Sequence, residues 1–288
     1  MNNFTFVNHI VKTTRVTFLE KFLAALDGTM PLPTLFGWYH LLCLGIVVGL
    51  CILVCLTAKG ISDKKFNLVI GVTAGVLLLL EIYKQFNYSY NPSTDAWDYQ
   101  WYAFPFQFCS TPMYVMLVVA FLKNGKVKTS LCSFLATYGF FAGAAVMFYP
   151  SDVFIRTIGI NIQTMAHHGM MVVIGVFMYV SGRAECSKKT IFRAIPTFAA
   201  LIALALIMNV IFVKLDFSDE TFNMFYISPY FDCTLPLLDM IYASTPYPVF
   251  ILVYLFGFTL AGGIMSFLIL GAKKLLTKYS KKTIRTVS

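Results

Sequence analysis

Three apolar stretches of this chain contain side chains able to do chemistry. Cys109, followed by Ser110 and Thr111, lies in YAFPFQFCSTPMYVMLVVAFL from Tyr102. His167 and His168, followed by Gly169, lie in INIQTMAHHGMMVVIGVFMYV from Ile160, and Glu81 lies near the end of the third stretch, in LLLLEIYKQF. A thiol beside an imidazole is a nucleophile beside a base: a free cysteine ionises near pH ~8.5, and a paired imidazole eases that ionisation. The thiolate can then attack an ester carbonyl and form a thioester. Thr111 offers a second nucleophile, a hydroxyl that needs more help to ionise. A carboxylate in an apolar segment is costly, which makes Glu81 a candidate to orient the imidazole. Each residue also has a structural reading. A membrane cysteine is most often a small packing residue, an interhelical histidine a satisfied polar group, and Glu81 a partner for Lys84 one turn away.

The elements that position these residues follow from composition. The 288 residues are 58% hydrophobic and 12% charged, with a mean hydropathy of +0.75, which excludes an ordinary soluble domain. Seven stretches are long and apolar enough to span a bilayer: 35–56, 66–84, 102–122, 130–149, 162–180, 191–213 and 247–271. The expected fold is therefore all-α, a polytopic membrane protein of seven transmembrane helices. His168 then lies roughly 9 Å from the start of its helix, level with Cys109. His167 and His168 point about 100° apart, so only one of them can face a given neighbour.

Charge sets the expected orientation. Sixteen of the 22 lysines and arginines fall in the loops after the first, third and fifth stretches and in the tail, from Lys59 through Arg285. The intervening loops collect Asp95, Asp98, Asp152, Asp216, Asp219, Glu220, Asp232 and Asp239. This places the N-terminus outside and the C-terminus in the cytoplasm. The +9 net charge then reads as a surface facing anionic lipid, with no nucleic-acid partner expected. Residues 1–34 carry an interfacial amphipathic helix over 14–26, residues 35–271 the transmembrane domain, 214–247 an outer lid or re-entrant loop, and 272–288 a basic cytoplasmic tail. Helix 102–122 should have Pro105 in its first turn and bend at Pro112. Asn161 reads as a helix cap, and Gly139 and Gly143 as a close-packing pair. The seven cysteines form no CxxC or zinc spacing, so neither a metal nor another cofactor is expected. The last span lacks a lysine, which removes a retinal Schiff base.

The Glu81 end of its helix, FPFQFCSTP at 104–112, HHG at 167–169 and FNMFYISP at 222–229 occur in the order seen in the YwaF-like integral membrane proteins, and over about 66–265 the chain resembles that family. YwaF-like proteins are similar to a eukaryotic acyltransferase that moves fatty acyl chains onto lysophospholipids through a cysteine and a histidine, and more remotely to membrane lipid ester hydrolases that use a threonine and a histidine. The resemblance implies Cys109 as nucleophile and His168 as base. Ser110 and Thr111 after the cysteine, and the doubled histidine, depart from the family pattern.

The expectation is an acyltransferase of a bacterial plasma membrane whose substrates are phospholipids or lysophospholipids. Its rivals are an ester hydrolase using Thr111, and a transporter or channel lined by Glu81, Lys84, Asn209 and His168.

Overall fold

The computed structural model describes residues 26–91, 96–218 and 220–287. The interfacial helix expected over 14–26 lies almost wholly outside the described residues. Nine α-helices among the described residues organise the chain: α1 Trp38–Thr57, α2 Asp63–Ser89, α3 Thr111–Phe121, α4 Lys126–Phe134, α5 Phe140–Phe148, α6 Ile158–Val180, α7 Lys189–Lys214, α8 Leu238–Ser244 and α9 Tyr247–Val287. A π turn over Leu135–Gly139 joins α4 to α5. The two short antiparallel strands, β1 (Tyr90–Asn91) and β2 (Ala96–Trp97), pair Tyr90 with Trp97 beyond α2.

Among the described residues, five segments are long and apolar enough to cross a membrane: Trp38–Thr57, Asp63–Ser89, Lys126–Phe148, Lys189–Lys214 and Tyr247–Gly271. The protein is an integral membrane protein. The other two expected spans depart from that pattern for separate reasons. Helix α6 has 23 residues but carries Asn161, Gln163, Thr164, His167 and His168, all buried. It packs against α1, α2 and α5, so protein rather than lipid surrounds its polar side chains.

The expected helix over 102–122 is not continuous. Trp101–Ala103 forms a single 3-10 turn, residues 104–110 form an irregular strap, and α3 has only 11 residues, about 16 Å of helix against a core of about 30 Å. The two prolines explain the break. Pro105 cannot donate a hydrogen bond and lies in the strap, its carbonyl accepting from the Tyr114 hydroxyl at 2.8 Å. Pro112 opens α3 in its first turn instead of bending it midway. Irregular backbone at membrane depth persists where protein satisfies it, and the Thr111 hydroxyl donates to the Phe108 carbonyl at 2.9 Å.

Close backbone approach brings α5 and α6 together. A Cβ on Gly143 would stand 2.6 Å from the His168 carbonyl oxygen and 2.7 Å from the Met171 Cβ, so this crossing tolerates little more than hydrogen. Asn161 does not cap α6, which begins three residues earlier; its side chain instead grips Ile155, accepting from the N–H at 3.0 Å and donating to the carbonyl at 2.6 Å.

Candidate functional site

The strap before α3 is fixed from three sides. On α2, Glu81 pairs with Lys84 at 2.7 Å and accepts from the Gln85 amide at 2.9 Å. That amide also donates to the Ala103 carbonyl at 2.7 Å, and Tyr99 donates to the Gln85 carbonyl oxygen at 2.8 Å. Glu81 therefore positions the chain entering the strap, and among the described residues no hydrogen bond joins it to either histidine.

The second side is the segment after α7. Gln107 spans it, donating to the Asn223 carbonyl at 3.1 Å and accepting from the Phe225 N–H at 3.0 Å. Asn209 on α7 does the same to Met224, donating to its carbonyl at 3.0 Å and accepting from its N–H at 2.8 Å. These paired amides hold Phe225 at a positive φ of 62°, with its ring beside Phe106, Phe108 and Phe198. A regular helix over 102–122 would turn Gln107 away from this segment; the irregular strap, hinted at in the sequence only by Pro105 and Pro112, directs it to Phe225.

The third side is α6. His167 Nε2 lies 3.0 Å from the Cys109 carbonyl oxygen. A carbonyl only accepts, so Nε2 carries the proton and the neutral ring has its lone pair on Nδ1. Among the described residues, that Nδ1 is buried and has no partner. His168 faces back along its own helix, its Nδ1 donating to the Thr164 main-chain carbonyl at 2.8 Å. His40 is satisfied at both nitrogens, accepting from the Phe36 N–H and donating to the Met147 carbonyl, and serves structure.

Cys109 is half-buried, whereas Ser110 and Thr111 are buried and the Thr111 proton is committed to Phe108. Glu81 and Lys84 lie within electrostatic range of both Cys109 and His167. Tyr254 on α9 connects to the strap through Phe258: its ring is 4.6 Å from Phe258, which lies 5.0 Å from Phe108, and among the described residues its hydroxyl is buried without a partner. His167 thus meets the cysteine at its main chain, with Nε2–H on the carbonyl and its second ring nitrogen free of any proton. Among the described residues, no three histidine, cysteine or acidic side chains converge as metal ligands would.

Of the predicted site residues, the structure brings His167 to the main chain of Cys109. It turns His168 toward its own helix, commits Thr111 to the backbone, and gives Glu81 to the chain leading into the site.

The TMEM164 family's sequence model matches residues 35–269. No curated protein and no solved structure matches the chain.

Proposed function

The chain belongs to the TMEM164 family, and from that premise and the geometry around Cys109 we propose that it is a membrane-embedded acyltransferase that moves a fatty acyl chain between lipids through a Cys109 thioester. The observation carrying this reading is the His167 ring, tied through Nε2–H to the main chain of the cysteine and left with an unprotonated, unpartnered Nδ1. In this mechanism Nδ1 takes the thiol proton as sulfur attacks the ester carbonyl carbon of a phospholipid. The ester C–O bond breaks, and the lysolipid oxygen leaves with the proton returned by the imidazolium. An acceptor hydroxyl then attacks the thioester, gives its proton to Nδ1, and regenerates the thiol. His167, rather than His168, is the base in this assignment. Cys109 also precedes the N-terminus of α3, whose partial positive charge favours a thiolate or a nearby oxyanion.

The likeness to YwaF-like proteins supports the same chemistry. The half-buried thiol favours Cys109 over Thr111, whose hydroxyl is enclosed and already donating. In this reading, seven crossings of a bacterial plasma membrane place the N-terminus and the site at the outer leaflet and the basic tail in the cytoplasm. The 214–247 segment covers the site, and lipids enter from the side.

The test is incubation of detergent-solubilised protein with a phospholipid bearing an alkyne-tagged acyl chain, followed by detection of a hydroxylamine-labile adduct. The expected result is labelling in wild type and Thr111→Val and none in Cys109→Ala. Labelling that survives Cys109→Ala but not Thr111→Val would move the nucleophile to the threonine. No adduct and no acyl transfer with any folded protein would remove the enzymatic reading.

A further inference from the structure

Far along the bundle from Cys109, the start of α4 and the loop between α6 and α7 border an open cavity of about 410 Å³. Its lining includes Gly125, Lys128, Thr129, Arg183, Glu185 and Arg193. Two of these cations are partly neutralised. Arg183 pairs with Asp63, which Asn124 also contacts at 2.6 Å. Arg193 pairs with Glu185 at 2.6 Å and holds its carboxyl below the usual carboxylate range. Lys128 is different. It is 5% exposed, and its ammonium donates to the Asn67 side-chain oxygen at 2.7 Å and the Leu122 carbonyl at 2.9 Å, both uncharged. A lysine has three N–H donors, so one is left over. Among the described residues, no carboxylate forms an ion pair with it.

Asp63 acts on Lys128 only from beyond ion-pair distance and is already held by Arg183; a buried charge so weakly compensated is costly, and three further features favour an anion here. Among the described residues, the Arg183 Nε is buried without a partner. Lys128 and Arg183 both approach the ring of Phe66, at 5.7 and 4.7 Å from its centroid, which brings the two cations to one place. The α4 N-terminus has no side-chain cap, so its first amides have no partner from its own cap residue.

We propose that this cavity binds a phosphate group, with Lys128 as its buried counter-charge and Arg183, Arg193 and the α4 N-terminus supplying further donors. A tetrahedral anion with several acceptor oxygens matches this divergent donor set better than a planar carboxylate does. The phosphate belongs either to a lipid headgroup reaching in from the basic face or to a free anion. The site is independent of the acyl-transfer reading.

The test is calorimetric titration of the full-length chain in neutral detergent with inorganic phosphate and, separately, with dihexanoyl phosphatidic acid, using sodium chloride at matched ionic strength as the control. Saturable binding is expected, weakened about tenfold in Arg193→Gln and in Lys128→Met. Arg193 is partly exposed, so its variant still reports if the lysine variant fails to fold. Binding of phosphatidic acid alone assigns a lipid headgroup, and binding of inorganic phosphate as well assigns the phosphate group itself. No saturable binding, or equal binding by wild type and Arg193→Gln, overturns the site.

Discussion

His167 and Cys109 are joined through the cysteine's main chain, not its sulfur: Nε2–H donates to the Cys109 carbonyl at 3.0 Å. That bond fixes the ring tautomer and anchors α6 to the strap, so two functions of one side chain can be separated. In His167→Gln the amide N–H can reach the same carbonyl, but the Nδ1 lone pair is gone. Formation of the acyl adduct should fall about 100-fold or more, while the thermal midpoint in detergent stays within a few degrees of wild type. His168→Gln should retain most of the adduct. The reverse ranking, read from adduct rates by intact mass spectrometry, would reassign the base to His168.

Asn209 serves both polar groups of the Met224 backbone. Asn209→Leu keeps side-chain size but leaves that N–H and carbonyl without partners, a loss of about 1–3 kcal/mol. Cys233, which is 3% exposed in the same segment, is the reporter. Its alkylation by a maleimide should accelerate several-fold in the variant, and an unchanged rate would show that Gln107 alone holds the segment down.

Gly143 faces the His168 carbonyl with no room for a methyl group. Gly143→Ala should destabilise by about 1–3 kcal/mol through overpacking, read as a lower thermal midpoint. Because the clash is with the backbone at His168, acyl-adduct formation should also decline in the protein that remains folded. Glycines whose added Cβ would meet nothing within 4 Å, such as Gly49, should accept alanine without cost.

Glu81 holds Lys84 and the Gln85 amide. Glu81→Gln removes the counter-charge of Lys84 and should cost about 1–2 kcal/mol, moderated because the ammonium keeps contact with water. Hydrogen exchange at Ala103 and its neighbours should speed up, since Gln85 links Glu81 to that turn. An unchanged exchange pattern would show that Tyr99 and Gln85 suffice to hold it.

Much of the architecture is written in hydropathy, a local property. Apolar runs of about 20 residues specify the five spanning segments; of the expected Gly139–Gly143 pair, Gly143 makes the close approach, while a Cβ on Gly139 would meet only ordinary contacts. The Glu81–Lys84 pair was equally legible, since residues three apart on a helix are neighbours whatever surrounds them. The chemical residue types, cysteine, histidine and threonine, were also visible in the chain.

Which of them meet was decided by tertiary structure. Two prolines seven residues apart are compatible with either a bent helix or a broken one. The strap is chosen because Thr111, Tyr114 and His167 satisfy its carbonyls, while the Gln107 side chain ties it to the backbone of Asn223 and Phe225. Breaking the helix changes the direction of every side chain from Phe104 to Ser110, and with it the face Cys109 presents. The choice between His167 and His168 depends on how α6 is rotated, and that rotation is set by the contact of Gly143 with α6 and by the neighbours α1 and α2. Hydropathy reports how deep a residue sits in the membrane; the direction it points is set by packing between segments far apart in sequence.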